Sequence, residues 1–449
     1  MRADSPWRVA DFRALFSAAV LGNLGTNVGY VALPLVAVAS LDAGPGEVGA
    51  LATLSTVAFL LIGLPAGAWV DRMRQRRVLI VADLARGLLF ASVPLAWWLD
   101  VLTLGQLYAI VFLGGCATVF FDVTSQSVLP RLVGRDGLVA ANSAMVGLQA
   151  AANVAGRGAG GALVQWLTAP LALVWTAVSH LGSAIRLAGV RDGGAVPPRA
   201  PEKADDADRA DEADGAGKAA AGLRAQIAEG LRHVLGNREL RALALSAAVV
   251  NFGMQIVNTM LPVLFVRELG LSAGALGAFW AVGGLGILLG SRCAGWFAAR
   301  LGYGRSLSVV GVCLAPAGLL VPLIDRGAWL WVAAAGWLLV LFMVGTNNVV
   351  GVSLRQRMTP DTLLGRMNAT FRFLLTGALA VGAALSGVLG ELVGLRLALW
   401  AGGVVMAVSF LPVLLSPVRT RRELPQEGGG IVTARSGSGA RGPDGARPR

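Results

Sequence analysis

Gly67-AWVD-Arg72-MRQR-Arg77 closes one long apolar segment, and Gly295-WFAA-Arg300-LGYG-Arg305 closes another in the second half of the chain, with Gly, Arg and Arg at the same spacing. The shift that carries Gly67 onto Gly295 also carries Asn23, Gly25, Asn27 and Pro34 onto Asn251, Gly253, Gln255 and Pro262. A third pair, Gln126 with Pro130 and Gln356 with Pro360, recurs almost in that register. Three anchors in nearly one register make an internal repeat that covers most of the chain, and a repeat must be recognised before any fold is assigned.

The repeated unit is built for lipid. Of 449 residues 55% are hydrophobic and only 14% charged, whereas soluble domains carry about a quarter charged residues. Crossing the hydrocarbon takes about 20 apolar residues per helix, and twelve such runs are predicted, at 12–40, 47–70, 78–99, 103–125, 138–164, 168–190, 239–266, 272–298, 305–324, 328–351, 363–390 and 394–416. The expected fold is an all-α membrane protein, twelve transmembrane helices arranged as two pseudo-symmetric six-helix bundles. Its parts are a first bundle over 1–190, a cytoplasmic linker with a short amphipathic helix over 191–238, a second bundle over 239–416 and a disordered tail over 417–449. In the linker, Pro197, Pro198 and Pro201 interrupt an Ala/Asp/Glu/Arg run that cannot bury enough apolar surface to fold alone. Leu223, Ile227, Leu231 and Val234 then recur at helical spacing.

The net charge of +12 is a matter of orientation and excludes a nucleic-acid footprint as its cause. Alternate connections hold the arginines: Arg2, Arg8 and Arg13, then Arg72, Arg74, Arg76 and Arg77, then Arg131 and Arg135, and after the linker Arg300, Arg305, Arg355, Arg357, Arg419, Arg421 and Arg422. The intervening connections hold single residues such as Arg267, Arg326 or Arg396. Cytoplasmic loops carry the Lys/Arg excess, which predicts both termini in the cytoplasm. Cys116, Cys293 and Cys313 fall inside apolar runs at no metal or disulfide spacing and are read as packing residues. No metal or cofactor is expected, and the first apolar run lacks a convincing cleavage site, so it is read as a retained helix.

The run GLPAGAWVDRMRQRR between the second and third helices, its second copy at 295–305, the basic linker and the twelve spans resemble the major facilitator superfamily of transporters. The phrases DFRALFSAAVLGNLG, SVLPRLVGRDGLVAANSAM, EGLRHVLGNRELRAL and LRQRMTPDTLLGRMNATFRF narrow the resemblance to bacterial enterobactin and macrolide efflux exporters. The resemblance implies a gating motif of Gly67, Asp71, Arg72, Arg76 and Arg77, echoed by Gly295, Arg300 and Arg305. In it the aspartate engages the start of the eleventh helix and holds the cytoplasmic side closed. Ala299 in the second copy makes that latch one-sided. The chain departs from the pattern at Gln75, where the signature often has Gly. It departs again at Gly156-Arg157-Gly158, where Arg157 replaces the proline of the exporter motif in the fifth helix. The arginine that many proton-coupled members carry in the fourth helix is absent from LYAIVFLGGCATVFFD.

Ionisable groups inside apolar helices are costly and mark function by default. Asp83 and Arg86, three apart on the third helix, can pair along one face, as a structural pair or a coupling site. Asp122, near the cytoplasmic end of the fourth helix, is either a buried proton carrier or a solvated helix end. Arg157 lies too far toward the other side to meet Asp122 and is expected to attract an anionic substrate or pair with an unidentified acid. His180 is read as packing near the cytoplasmic end of the sixth helix. Asn23, Asn27 and Tyr30 form one polar stripe on the first helix, and Asn251, Gln255 and Asn258 repeat it on the seventh. Together with Asn347 and Asn348 of the tenth they outline a central cavity for a bulky amphipathic molecule, although each amide alone could equally join two helices.

The expected function is a monomeric secondary-active exporter of a small amphipathic organic compound, such as a drug, antibiotic or siderophore-like metabolite, using protons as the coupling ion. An importer of the same fold is the alternative. A polytopic membrane enzyme is less favoured, because no nucleophile or metal-binding constellation is visible. The absence of any G-x-x-x-x-G-K-[ST] excludes an ATP-driven pump within this chain.

Overall fold

The computed structural model describes residues 6–71, 73–189 and 228–422. Most of the predicted linker, the start of its amphipathic helix, and the tail from 423 lie outside the described residues. Among those described the chain is helical throughout: α1 Ala10–Ser40, α2 Pro45–Asp71, α3 Gln75–Trp98, α4 Leu104–Leu167, α5 Ala169–Ala188, α6 over 228–236, α7 Arg238–Val263, α8 Ala273–Leu301, α9 Tyr303–Leu314, α10 Ala328–Arg357, α11 Leu364–Leu392, α12 Leu395–Val408 and α13 Leu411–Leu414. A 3-10 stretch, Ala315–Leu323, carries α9 onward. Polar caps start several of these helices, each satisfying amides that the first turn leaves unpaired. Asn237 accepts from the amides of Glu239 and Leu240, Ser272 from Ala275, and Thr103 from Gln106.

Eleven described segments are long and apolar enough to cross a membrane, one fewer than the twelve runs read from the sequence. The difference lies in α4. Its first arm, Leu104–Pro130, is one of the eleven; in its continuation to Leu167 several side chains between 131 and 139 lie outside the described residues, and the uncharged apolar run 138–155 is part of that arm. A straight helix of 64 residues would be about 96 Å long at 1.5 Å per residue. Both ends of α4 nevertheless reach one face. Gln106 donates to Ser92 near the end of α3, and Gln165 lies against Gly274 at the start of α8. The helical run therefore doubles back in its middle, and its two arms are the fourth and fifth passes.

Two bundles result, joined along seams that are copies of each other. An added Cβ on Gly49 of α2 would sit 2.5 Å from the Gly387 Cα of α11, and one on Gly161 of α4 would sit 2.7 Å from the Gly277 Cα of α8. Gly277 is the repeat equivalent of Gly49, in the register that sets Gly295 on Gly67. Real Cβ atoms do not approach so closely, so glycine is required at Gly49, Gly161 and Gly277, and at Gly387 an added Cβ would stand 3.0 Å from the Gly49 Cα, a tight contact. All four lie within about two turns of the face opposite the termini. That face is further tied by an Asp42–Arg267 pair and by the Gly46 amide donating to Glu391 Oε2 at 3.2 Å. The terminal face carries separate apolar clusters, one around Phe12, Leu79, Phe121 and Leu187, the other around Val234, Leu240, Leu354 and Phe371.

Inside the first bundle α3 is fastened to α5 by a buried polar cluster. Asp83 pairs with Arg86 one turn on, accepts from Ser183 Oγ at 2.5 Å, and lies 3.4 Å from His180 Nδ1. His180, expected as interfacial packing, is fully buried and stacks on Phe90. The reason is close helix approach: Gly25 and Gly29 of α1 admit Ser179 and Thr176 of α5, and Thr176 Oγ1 donates to the Gly25 carbonyl. This brings the His180 face of α5 onto α3.

Removing one partner of a buried pair leaves an uncompensated charge, a loss of about 3–5 kcal/mol. Asp83→Ala is expected to lower the thermal unfolding midpoint of the detergent-solubilised protein markedly, and adding Arg86→Met is expected to recover much of it. A single variant that melts with the parent removes this role.

Candidate functional site: a cavity on the pseudo-symmetry axis

Where α1, α2, α7 and α8 converge, a cavity of about 100 Å³ opens between the bundles. Its lining pairs residues by the repeat. Tyr30 has Asn258 as its counterpart, Pro34 has Pro262 and Ala52 has Trp280, each pair in the register that sets Gly295 on Gly67. A pocket made by equivalent positions of two copies lies on the axis that relates them, which is where a substrate is reached from either side in turn. Trp280 was not legible as a site residue: an apolar aromatic in an apolar helix carries no local signal, and only its repeat relation to Ala52 could have drawn attention to it.

Polar groups on this lining are held in place. Trp280 Nε1 donates to Asn258 Oδ1 at 2.9 Å, and Gln255 Nε2 donates to Thr259 Oγ1 at 3.2 Å. The Tyr30 ring meets Trp280 edge-on with centroids 5.9 Å apart, and the Arg157 guanidinium lies 4.5 Å above the Tyr30 ring centre. Tyr30, Gln255 and Asn258 thus come together on one lining. Asn23, Asn27 and Asn251 do not line the cavity: their amides donate to Ala19, Asn23 and Ala247 carbonyls on their own helices. Asn347 and Asn348 of α10 also stand outside its lining.

A second constellation lies toward the terminal face. Asp122, on the first arm of α4, has Arg86 of α3 and Arg372 of α11 as its nearby cations. Arg86 also sits 4.6 Å over the Phe121 ring, and Arg372 sits 4.3 Å over Phe59 of α2. Phe59, Gly63, Val123, Asn368 and Arg372 line a cleft of about 270 Å³ where the two bundles meet. Of the gating motif, Asp71 ends α2. Arg72, and the surroundings of the Gly67 and Asp71 side chains, lie outside the described residues. Arg76 donates to the Ala188 carbonyl at the end of α5, tying the loop to the first bundle. Arg77 lines a groove with Val78, Val81 and Phe120. In the second copy Gly295 has open space around it, Arg300 lies 5.3 Å over Trp296, and Arg305 is exposed. Among the described residues no three His, Cys, Asp or Glu side chains converge to hold a metal ion.

The comparisons with known proteins agree with this geometry. The Major Facilitator Superfamily model matches residues 15–349. The multidrug efflux pump Tap of Mycolicibacterium fortuitum is 27% identical over 394 residues, covering 84% of this chain and 89% of that protein. The enterobactin exporter EntS of Escherichia coli O157:H7 is 26% identical over 434 residues, covering 95% and 96%. Among solved structures, a bacterial homologue of the iron transporter ferroportin in an inward-facing state superposes with a TM-score of 0.71 at 16% identity, covering 92% of this chain and 99% of that one. The nucleoside transporter NupG superposes with a TM-score of 0.69 at 10% identity, covering 90% and 99%. With a family model spanning most of its length, a duplicated helical bundle and a cavity on the repeat axis, the chain is a multi-pass membrane transport protein that belongs to the Major Facilitator Superfamily.

Proposed function

We propose that this transporter is a secondary-active exporter of a small amphipathic organic compound, moved by alternating access and driven by proton antiport. The observation that carries the reading is the axial cavity, lined by equivalent positions of the two halves and sealed toward one face by the glycine seams. In this reading the bundles 1–190 and 239–416 rock as a monomer about that cavity in the inner membrane of a bacterium. The 191–238 linker, the 417–449 tail and both termini lie in the cytoplasm, in keeping with the arginine-rich loops. The multidrug efflux of Tap and the enterobactin export of EntS support the outward direction. Transport of a compound panel into inverted vesicles, with and without an imposed pH gradient, tests the whole; uptake indifferent to the gradient for every compound removes the antiport.

The coupling group in this reading is Asp122. As a carboxylate of the first bundle it attracts Arg372 of the second and favours closure at the terminal face. A proton on it cancels that attraction and lets the face open. Asp122→Asn is expected to abolish gradient-driven transport while leaving downhill exchange of substrate. Gradient-driven transport at the parent rate in that variant excludes Asp122 as the carrier. Asp71→Asn is expected to slow transport without loss of membrane insertion, since a carboxylate at a helix start contributes about 0.3–1 kcal/mol to holding a closed state. Unchanged rates remove it from the gate.

The seams give a test of alternating access itself. Gly387→Leu cannot close against Gly49 and should hold the far face apart. In a background lacking Cys116, Cys293 and Cys313, a cysteine at Leu51 is expected to react several-fold faster with a membrane-impermeant maleimide added at that face. Equal labelling with Gly387 intact would show that the seam is not a gate.

A further inference from the structure

Two arginines stand inside the first bundle's passes, and the protein treats them differently. Arg86 is paired with Asp83. Arg157 has no ion pair among the described residues, and its Nε is buried without a hydrogen-bond partner. It stands ten residues before the end of α4 at Leu167, about 15 Å of helix, which puts it near mid-depth of a hydrocarbon core about 30 Å thick.

Its direction follows from its neighbours. Gly156 and Gly160 press on Asn27 and Val28 of α1, while Val154, Gly158 and Gly161 meet Gly284, Ala281 and Gly277 of α8. At about 100° per residue, position 157 falls between those two stripes, facing the space between the bundles, together with Asn153 and Val146. Val146 is 66% exposed on that stripe, so the space continues from Arg157 toward the terminal face. The lining of the adjoining axial cavity contains Tyr30, Gln255, Asn258 and Trp280 but no carboxylate.

Arg157 is half-buried, and withdrawing even part of an ion from water without a counter-charge is unfavourable. Among the described residues the favourable contact of the guanidinium is the one over Tyr30, which returns about 0.5–2 kcal/mol. A cation kept at this depth without a counter-charge is half of an ion pair. We infer that the other half is the cargo: the transported compound carries an organic anionic group, a carboxylate, phenolate or sulfonate, that docks on Arg157. A flat apolar part of the same molecule lies against Tyr30 and Trp280. This rests on the transport reading above and adds the charge of the substrate to it.

Fluorescein and rhodamine 123 test it, because they share one ring skeleton and differ in charge. The full chain is reconstituted in vesicles of phosphatidylcholine alone, so that no anionic headgroup supplies the charge, and both binding and transport of each dye are measured. The expected result is fluorescein binding that Arg157→Gln weakens by about tenfold or more, the loss of one charge-assisted contact. Arg157→Lys should retain part of it, and rhodamine 123 should bind Arg157→Gln at least as well as the parent. Fluorescein binding equal in parent and Arg157→Gln, or a parent that prefers rhodamine 123, overturns the inference. Loss of fluorescein binding in a Gln variant that has also lost its thermal transition is decided by the Lys variant, in which complete loss overturns the inference and partial retention supports it. If fluorescein binds through Arg157 yet neither dye crosses, the transport reading fails and the anion site stands. If both dyes cross equally in parent and Arg157→Gln, transport stands and the anion site fails.

Discussion

In hydrocarbon no water is present to receive a peptide N–H or C=O, so every crossing segment must satisfy its backbone internally. That constraint makes the described chain helical from end to end and shapes the exceptions. Pro34, Pro65, Pro94, Pro130 and Pro262 all lie inside helices, where each removes a backbone donor. After Pro262 the chain relaxes into a π-helical turn at Leu264–Glu268 before α8 begins, and Pro130 lies within the helical run of α4. Proline and its freed carbonyls are tolerated because neighbouring helices cover them, which in turn requires neighbours that approach closely. Glycine and serine supply that approach along α1, α5 and both seams.

The same low dielectric decides where charge is allowed. On the face opposite the termini, arginines sit among acids: Arg267 with Asp42, and Arg396 with Glu268 and Asp325. These pairs are exposed at the rim and each contributes little to stability. Within the bundle, Asp83 and Arg86 neutralise each other and gather Ser183 and His180 around them. Asp122 has cations from both bundles as neighbours. Arg157, with no ion pair among the described residues, lies over Tyr30 on the edge of the axial cavity, whose lining holds no carboxylate.

How much of this was legible depends on whether the signal was local or periodic. The repeat carried the fold, since a single register relates not only the loop motifs but also Gly49 to Gly277 and Tyr30 to Asn258. The Asp83–Arg86 pair was legible because i, i+3 spacing is a property of one helix. Its partners on α5 were not, because nothing in a single helix says which face meets a neighbour; the glycines of α1 opposite Ser179 hold that information. The amide stripes were half legible. Tyr30, Gln255 and Asn258 reach the cavity, while Asn23, Asn27 and Asn251 turn their amides back to carbonyls one turn earlier, a choice that spacing does not distinguish. The second arm of α4 was legible from composition, as the apolar run 138–164.

The seams that close the far face are made of bare main chain. Where leucines interdigitate, two surfaces part only after side chains withdraw from their sockets, and each withdrawal adds to the barrier. Gly49 on Gly387 and Gly161 on Gly277 present no such teeth. In the proposed alternating-access cycle, plates of this kind would separate with little friction, which would leave the timing at that face to its rim, to Asp42, Arg267 and Glu391.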